Sequence, residues 1–132
     1  MPMKSYCLKF AASLVLVLFS LNASASAFEQ FSGDRLDELN AQGQPVLIEV
    51  YADWCSTCRR QSPLLESLLA DHEFADLTGL KLDWDEQREH ATALGAPRQS
   101  TLILFRDGEA LDLSVAETNP DRLREFLRQA LN

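Results

Sequence analysis

The sequence predicts an α/β domain, a central mixed β-sheet flanked by helices, and three observations carry that expectation. Val46–Tyr51 is apolar on both faces, as a strand in the middle of a covered sheet is. Helical and strand periods alternate from residue 34 onward, which gives a β-α-β unit with parallel strands. Ser100–Phe105 and Ala110–Val115 then flank Arg106-Asp107-Gly108-Glu109, whose Asp-Gly is a hairpin signal and adds antiparallel pairing.

The 132 residues leave room for one such domain. The first nine carry Lys4 and Lys9 and no acid; Phe10 to Leu21 is apolar apart from Ser13 and Ser20, and Asn22 to Ala27 is small and polar, ending Ala25-Ser26-Ala27. That is the three-part layout of a secretory signal peptide with an Ala-X-Ala cleavage site. Twelve apolar residues fall short of the roughly 20 that a membrane-spanning helix needs. Cleavage after Ala27 is expected, with residues 28–132 as the mature domain and no stable membrane association afterwards. Cys7 leaves with the leader. The mature chain then has 10 basic against 20 acidic residues, a net charge of −10. Such a domain does not suit nucleic acid or an anionic membrane surface.

Within the domain, Asp34–Asn40 reads as a short helix with Leu36 and Leu39 inward, closed by Gly43-Gln44-Pro45. The strand Val46–Tyr51 follows, and then a helix beyond Cys55 with leucines at 64, 65, 68 and 69. Pro63 lies inside that helix and frees the carbonyl of Arg59; because the leucines continue at helical spacing, the helix is expected to kink there and continue rather than end. Leu80, Leu82 and Trp84 alternate with Lys81 and Asp83 as a strand, and Asp85 is expected to cap a helix Glu86–Leu94 ended by Gly95. Asn119 caps and Pro120 opens a last helix with Leu123, Phe126, Leu127, Ala130 and Leu131 on one face.

The chemistry sits where the first strand meets its helix, at Trp54-Cys55-Ser56-Thr57-Cys58. A buried strand leading into Cys-X-X-Cys at a helix start is the context of a redox motif. Cys55 would lie at the helix N-terminus, where free N–H groups and the helix dipole stabilise a thiolate. Cys58, one turn on, lies within reach to close a disulfide on it. That loop is too small to staple the fold by much, so a structural bridge is a poor account of the pair. Glu49 is an ionisable residue in an otherwise apolar central strand. Burial would raise its pKa toward that of a thiol, which suits a proton acceptor for Cys58; an edge strand with the carboxylate in water is the other reading. Trp54 is placed to shield the sulfurs and contact partners, with ordinary packing as the alternative. Asp53, Arg59, Arg60, His72 and His90 read as surface residues, and no metal ligand is assigned.

The stretch Pro45 to Pro63 resembles the active-site segment of the thioredoxin superfamily, in the form with Trp directly before the first cysteine. Lys81-Leu82-Asp83-Trp84-Asp85, Thr101 to Glu109 and Pro120 to Leu131 resemble its third strand, central hairpin and closing helix, in the same order. The resemblance covers nearly all of the chain after residue 30 and implies a thioredoxin fold. It further implies a thiol–disulfide oxidoreductase with Cys55 as nucleophile and Cys58 as resolving thiol, a buried acid at Glu49 and its accompanying lysine at Lys81. It implies no cofactor. With the leader it implies a periplasmic protein whose partners are exported proteins with thiols or disulfides, working as a reductant recharged by a membrane thiol carrier. Two departures fall on the surface expected to meet a partner, which comprises Trp54, Gln99, Ser100, Thr101 and Ala116. Ser100 stands where the family has a cis-proline facing the cysteines, and Ala116 where it has a glycine. A cis bond before serine costs about 2.5–4 kcal/mol, so Gln99–Ser100 is expected to be trans, with the hydroxyl free to bond a thiolate. Alternatives are a dithiolate metal-binding or metal-delivery protein, and a redox-inert binding module.

Overall fold

The computed structural model describes residues 26–132. The leader expected over residues 1–27 therefore lies, except for Ser26 and Ala27, outside the described residues, and so does Cys7. Nine main elements follow in chain order: β1 (Phe28–Gln30), α1 (Gly33–Ala41), β2 (Val46–Tyr51), α2 (Ser56–Leu69), β3 (Thr78–Asp83), α3 (Arg88–Ala93), β4 (Thr101–Arg106), β5 (Glu109–Val115) and α4 (Pro120–Arg128). The five strands form one sheet in the order β1-β3-β2-β4-β5. β1 and β2 run parallel to β3, while β4 is antiparallel to β2 and to β5. The mixed sheet expected from the sequence is what forms.

β2 is the central strand, and its alternation sorts the core into two layers. Val46, Ile48 and Val50 pack with Leu36, Leu39, Leu80, Leu82, Ile103 and Phe105 in one layer. Leu47 packs in the other with Leu65, Leu68, Leu102, Leu104, Leu123 and Leu127. Glu49 shares the face of Leu47, so its carboxylate points under α2. Gly79 lets β1 and α2 approach β3: a Cβ there would stand 2.6 Å from a methyl of Leu69 and 2.8 Å from the Phe28 ring.

Helix ends follow side-chain chemistry. Ser32 caps α1 by accepting from the Arg35 N–H, and Asn119 caps α4 by accepting from Asp121 and Arg122. α2 continues through Pro63, burying Cys58, Gln61, Leu65 and Leu68 at steps of three and four. The hairpin turn places Asp107 and Gly108 at φ 53° and 79°, the two positive values that a type I′ turn requires.

Two expectations are corrected. The third helix is shorter than Glu86–Leu94, and Asp85 does not cap it. The Asp83 carboxylate accepts from the N–H groups of Asp85 and Glu86, forming a turn, and α3 starts only at Arg88. Ser100 lies outside β4, because its φ of 61° takes it out of the extended region. The short β1 and the 3₁₀ turn His72–Phe74, which seats the buried Phe74, had no legible pattern of their own.

Candidate active site

The two cysteines meet Ser100 at the N-terminus of α2. Cys55 is the N-cap residue, and its sulfur accepts from the Cys58 backbone N–H at 3.2 Å. A sulfur at this point faces the unpaired N–H groups of the first turn, the arrangement that favours a thiolate. Both thiols are free and both are buried. The Ser100 hydroxyl lies 3.1 Å from Cys55 Sγ and 2.9 Å from Cys58 Sγ, bridging the pair.

The backbone fixes that hydroxyl. Ser100 donates its N–H to the Val50 carbonyl at 2.7 Å and accepts at its own carbonyl from Ala116 N–H at 2.9 Å. The Gln99–Ser100 bond is trans, since the described residues contain no cis peptide. Ser100 and Ala116 both hold positive φ, 61° and 59°. The second value explains why a glycine is at home in the bend after the hairpin.

The thiols are driven apart in acidity. Burial pushes Cys55 up, but hydrogen bonds from Cys58, Ser100 and the helix N–H groups outweigh it and hold its pKa below the ordinary thiol value. Burial pushes Cys58 up, and the neighbouring Cys55 adds to the rise. One sulfur is therefore disposed to be a nucleophile and the other a protonated thiol.

Glu49 sits on the central strand and is 0% exposed, which removes the edge-strand reading. Burial raises its carboxyl pKa; the Ser62 hydroxyl and Lys81 pull it back, and the charge of Glu66 adds to the rise. Oε1 accepts a hydrogen bond from Ser62. Oε2 has no hydrogen-bond partner among the described residues and lies 4.0 Å from Lys81 Nζ. Lys81 pairs with Glu49 across β2 and β3, and its ammonium stands 4.6 Å from the centre of the Tyr51 ring. A shallow cavity of about 320 Å³ lies beside this group, with Cys58, Ser62, Lys81 and Tyr51 in its wall.

Trp54 is 58% exposed, and its indole N–H donates to the Asp85 carboxylate at 2.7 Å. Its ring is thus fixed as a surface beside Cys55 rather than packed away. Gln99 is half-buried and Ala116 exposed on the same rim. Ser100 and Thr101 differ from the expectation of a partner contact, because both are fully buried. Ser100 is turned onto the two sulfurs, while Thr101 lies on the face of β4 that Ile103 and Phe105 occupy and donates its hydroxyl to the Arg98 carbonyl at 2.6 Å. The sequence reading missed Ser62, Asp85 and Gln61; Gln61 is fully buried and donates to the Glu117 carbonyl at 2.9 Å, tying α2 to the loop beyond β5. The polar Gln61-Ser62 pair, three and four residues beyond Cys58, was the available signal. Among the described residues no three His, Cys, Asp or Glu side chains converge as a ligand set.

Comparison with known proteins agrees with this geometry. Residues 27–129 match the family model described as Thioredoxin. The thioredoxin of Pseudomonas aeruginosa is 32% identical over 107 residues, 81% of this chain and 92% of that protein. The thioredoxin of Chlamydia muridarum is 38% identical over 82 residues, 62% of this chain and 78% of that protein. Among solved structures, Trxlp from Edwardsiella tarda superposes with a TM-score of 0.73 at 39% identity, over 76% of this chain and 97% of that one.

Proposed function

The chain belongs to the thioredoxin family and is a thiol–disulfide oxidoreductase, and we propose that it acts outside the cytoplasmic membrane as a reductant of protein disulfides. The observation that carries the redox step is the Cys55–Ser100–Cys58 cluster at the α2 N-terminus. Cys55 thiolate attacks one sulfur of a partner disulfide, giving a mixed disulfide and releasing the partner's other sulfur as a thiolate. Cys58 then loses its proton and attacks Cys55 Sγ. The Cys55–Cys58 bond forms, the partner leaves as a dithiol, and two electrons have passed to it. Ser100 can donate only one proton. Donated to Cys55, it steadies the thiolate, while its lone pairs face the Cys58 thiol.

Glu49 is the proposed acceptor of the Cys58 proton. Its burial supports that role, because a carboxylate held above its ordinary pKa gains most from a proton at the moment the thiol loses one. Lys81 beside it limits that rise. The exposed, anchored Trp54, with Gln99 and Ala116, forms the surface that meets the partner chain. Spent disulfide would be recharged by a membrane thiol carrier. The leader pattern over residues 1–27 is what supports the location. Expression of the full chain in a Gram-negative host tests it. Recovery from the periplasmic fraction with Phe28 as the first residue is expected; an intact leader on protein confined to the cytoplasm would refute export.

A further inference from the structure

Glu49 has no direct exposure, yet the cavity wall that includes Cys58 also includes Ser62. Ser62 is four residues beyond Cys58 on α2, hence on the same face of the helix, and its hydroxyl donates to Glu49 Oε1. It is therefore the group that touches both the cavity and the buried carboxylate. Lys81 is the other such group, but an ammonium can only donate. A hydroxyl can accept a proton on one side while giving its own on the other.

We propose that Ser62 is a positioning residue for Glu49, and that its hydroxyl is the link by which the proton released at Cys58 reaches that carboxylate. The proposal rests on the assignment of Glu49 as proton acceptor. As the Cys55–Cys58 bond forms, the Cys58 proton enters the water of the cavity and is taken up at Ser62 Oγ. Ser62's own proton passes to Glu49 Oε1. The thiol has become half of a disulfide, the carboxylate a neutral acid, and the hydroxyl is unchanged. The return path runs through the same atoms once the disulfide is formed. The charged groups acting on Glu49 are Lys81 from β3 and Glu66 from α2; β4 places only Leu102 opposite it.

The sign of the pH effect follows from these partners. Ser62 stabilises the ionised form of Glu49, so removing its hydroxyl moves the Glu49 titration to higher pH. The carboxyl is then protonated over a larger part of the pH range, and in that form it accepts nothing. Ser62→Ala, a substitution that a helix favours, is compared with Ser62→Thr, Glu49→Gln and the double variant. Two readouts are followed from pH 5 to 9: the NMR titration of the Glu49 side-chain carboxyl, and single-turnover resolution of a mixed disulfide between Cys55 and a probe thiol. The expected result is an upward move of the Glu49 midpoint in Ser62→Ala, with resolution at pH 7 slowed about tenfold. Ser62→Thr restores both, and Ser62→Ala adds nothing to Glu49→Gln. An unmoved midpoint, or equal slowing by Ser62→Ala with Gln at 49, overturns the proposal. Should Glu49→Gln itself resolve at the wild-type rate, the Glu49 assignment falls and takes the relay with it. Slow Glu49→Gln beside an unaffected Ser62→Ala removes the relay alone.

Discussion

Cys58→Ser is expected to stop exchange at the mixed disulfide. One equivalent of partner should accumulate on Cys55, while multiple-turnover reduction falls to the uncatalysed rate. The geometry explains why the effect is so large. Resolution is intramolecular because Cys58 sits one helical turn from Cys55, with a backbone N–H only 3.2 Å from its sulfur. Remove the second thiol and resolution must come from solution, at a fraction of that effective concentration. Cys55→Ser should trap almost nothing. The remaining sulfur is buried, and its pKa is pushed up by that burial, so little thiolate is present to attack. Capture of mixed disulfides from periplasmic extracts, resolved by non-reducing electrophoresis, reads both variants. Equal trapping by Cys55→Ser would reverse the assignment of nucleophile and resolving thiol.

Ser100 should separate two functions held by one residue. Ser100→Pro, which restores the residue type usual in the family, is expected to destabilise this protein by at least about 2 kcal/mol. Proline has no N–H for the Val50 carbonyl, and its ring fixes φ near −65° where this backbone holds 61°. Ser100→Gly keeps the N–H and accepts the positive φ, so stability should change little. It loses the hydroxyl, and with it one of the donors that hold Cys55 below the ordinary thiol pKa. The pH profile of Cys55 alkylation should therefore move to higher pH, with the rate below the midpoint lowered about fivefold for a hydrogen bond worth about 1 kcal/mol. Urea unfolding and alkylation kinetics measure the two effects. A Ser100→Pro protein of wild-type stability, or a Ser100→Gly protein with an unmoved alkylation profile, would contradict this account of the site.

The reach of the sequence can be judged from particular residues. β2 was legible because a strand covered on both faces is apolar throughout, and the same apolarity made Glu49 conspicuous. The hairpin was legible because Asp107-Gly108 is a pair that accepts two positive φ values. The start of α3 was not, since Asp85 looks like a cap in the sequence but lies in the turn that the Asp83 carboxylate holds, and α3 begins at Arg88 with no side-chain cap. β1 is too short to show a period, and it is defined by its pairing with β3. At the site, the cysteines announce themselves by spacing. Ser62 does not, because a serine in a helix gains meaning only when the strand behind it places a carboxylate against its hydroxyl. Thr101 was misjudged because it is the first residue of β4, and the alternation of that strand turns it onto the buried face of Ile103 and Phe105. The positive φ of Ser100 and Ala116 had no signal in their residue types, since neither is a glycine or asparagine.

On the proposed function, Cys55 and Cys58 form a reversible dithiol–disulfide couple poised to reduce other proteins. Equilibration of the purified protein with glutathione redox buffers, followed by alkylation and mass determination, gives the reduction potential of that couple directly. A two-electron transition near the potential of thioredoxins, about −270 mV, is expected. A couple near about −120 mV, the range of strong protein oxidants, would contradict the reductant reading, and a chain that forms no Cys55–Cys58 disulfide under any buffer would contradict the redox reading altogether.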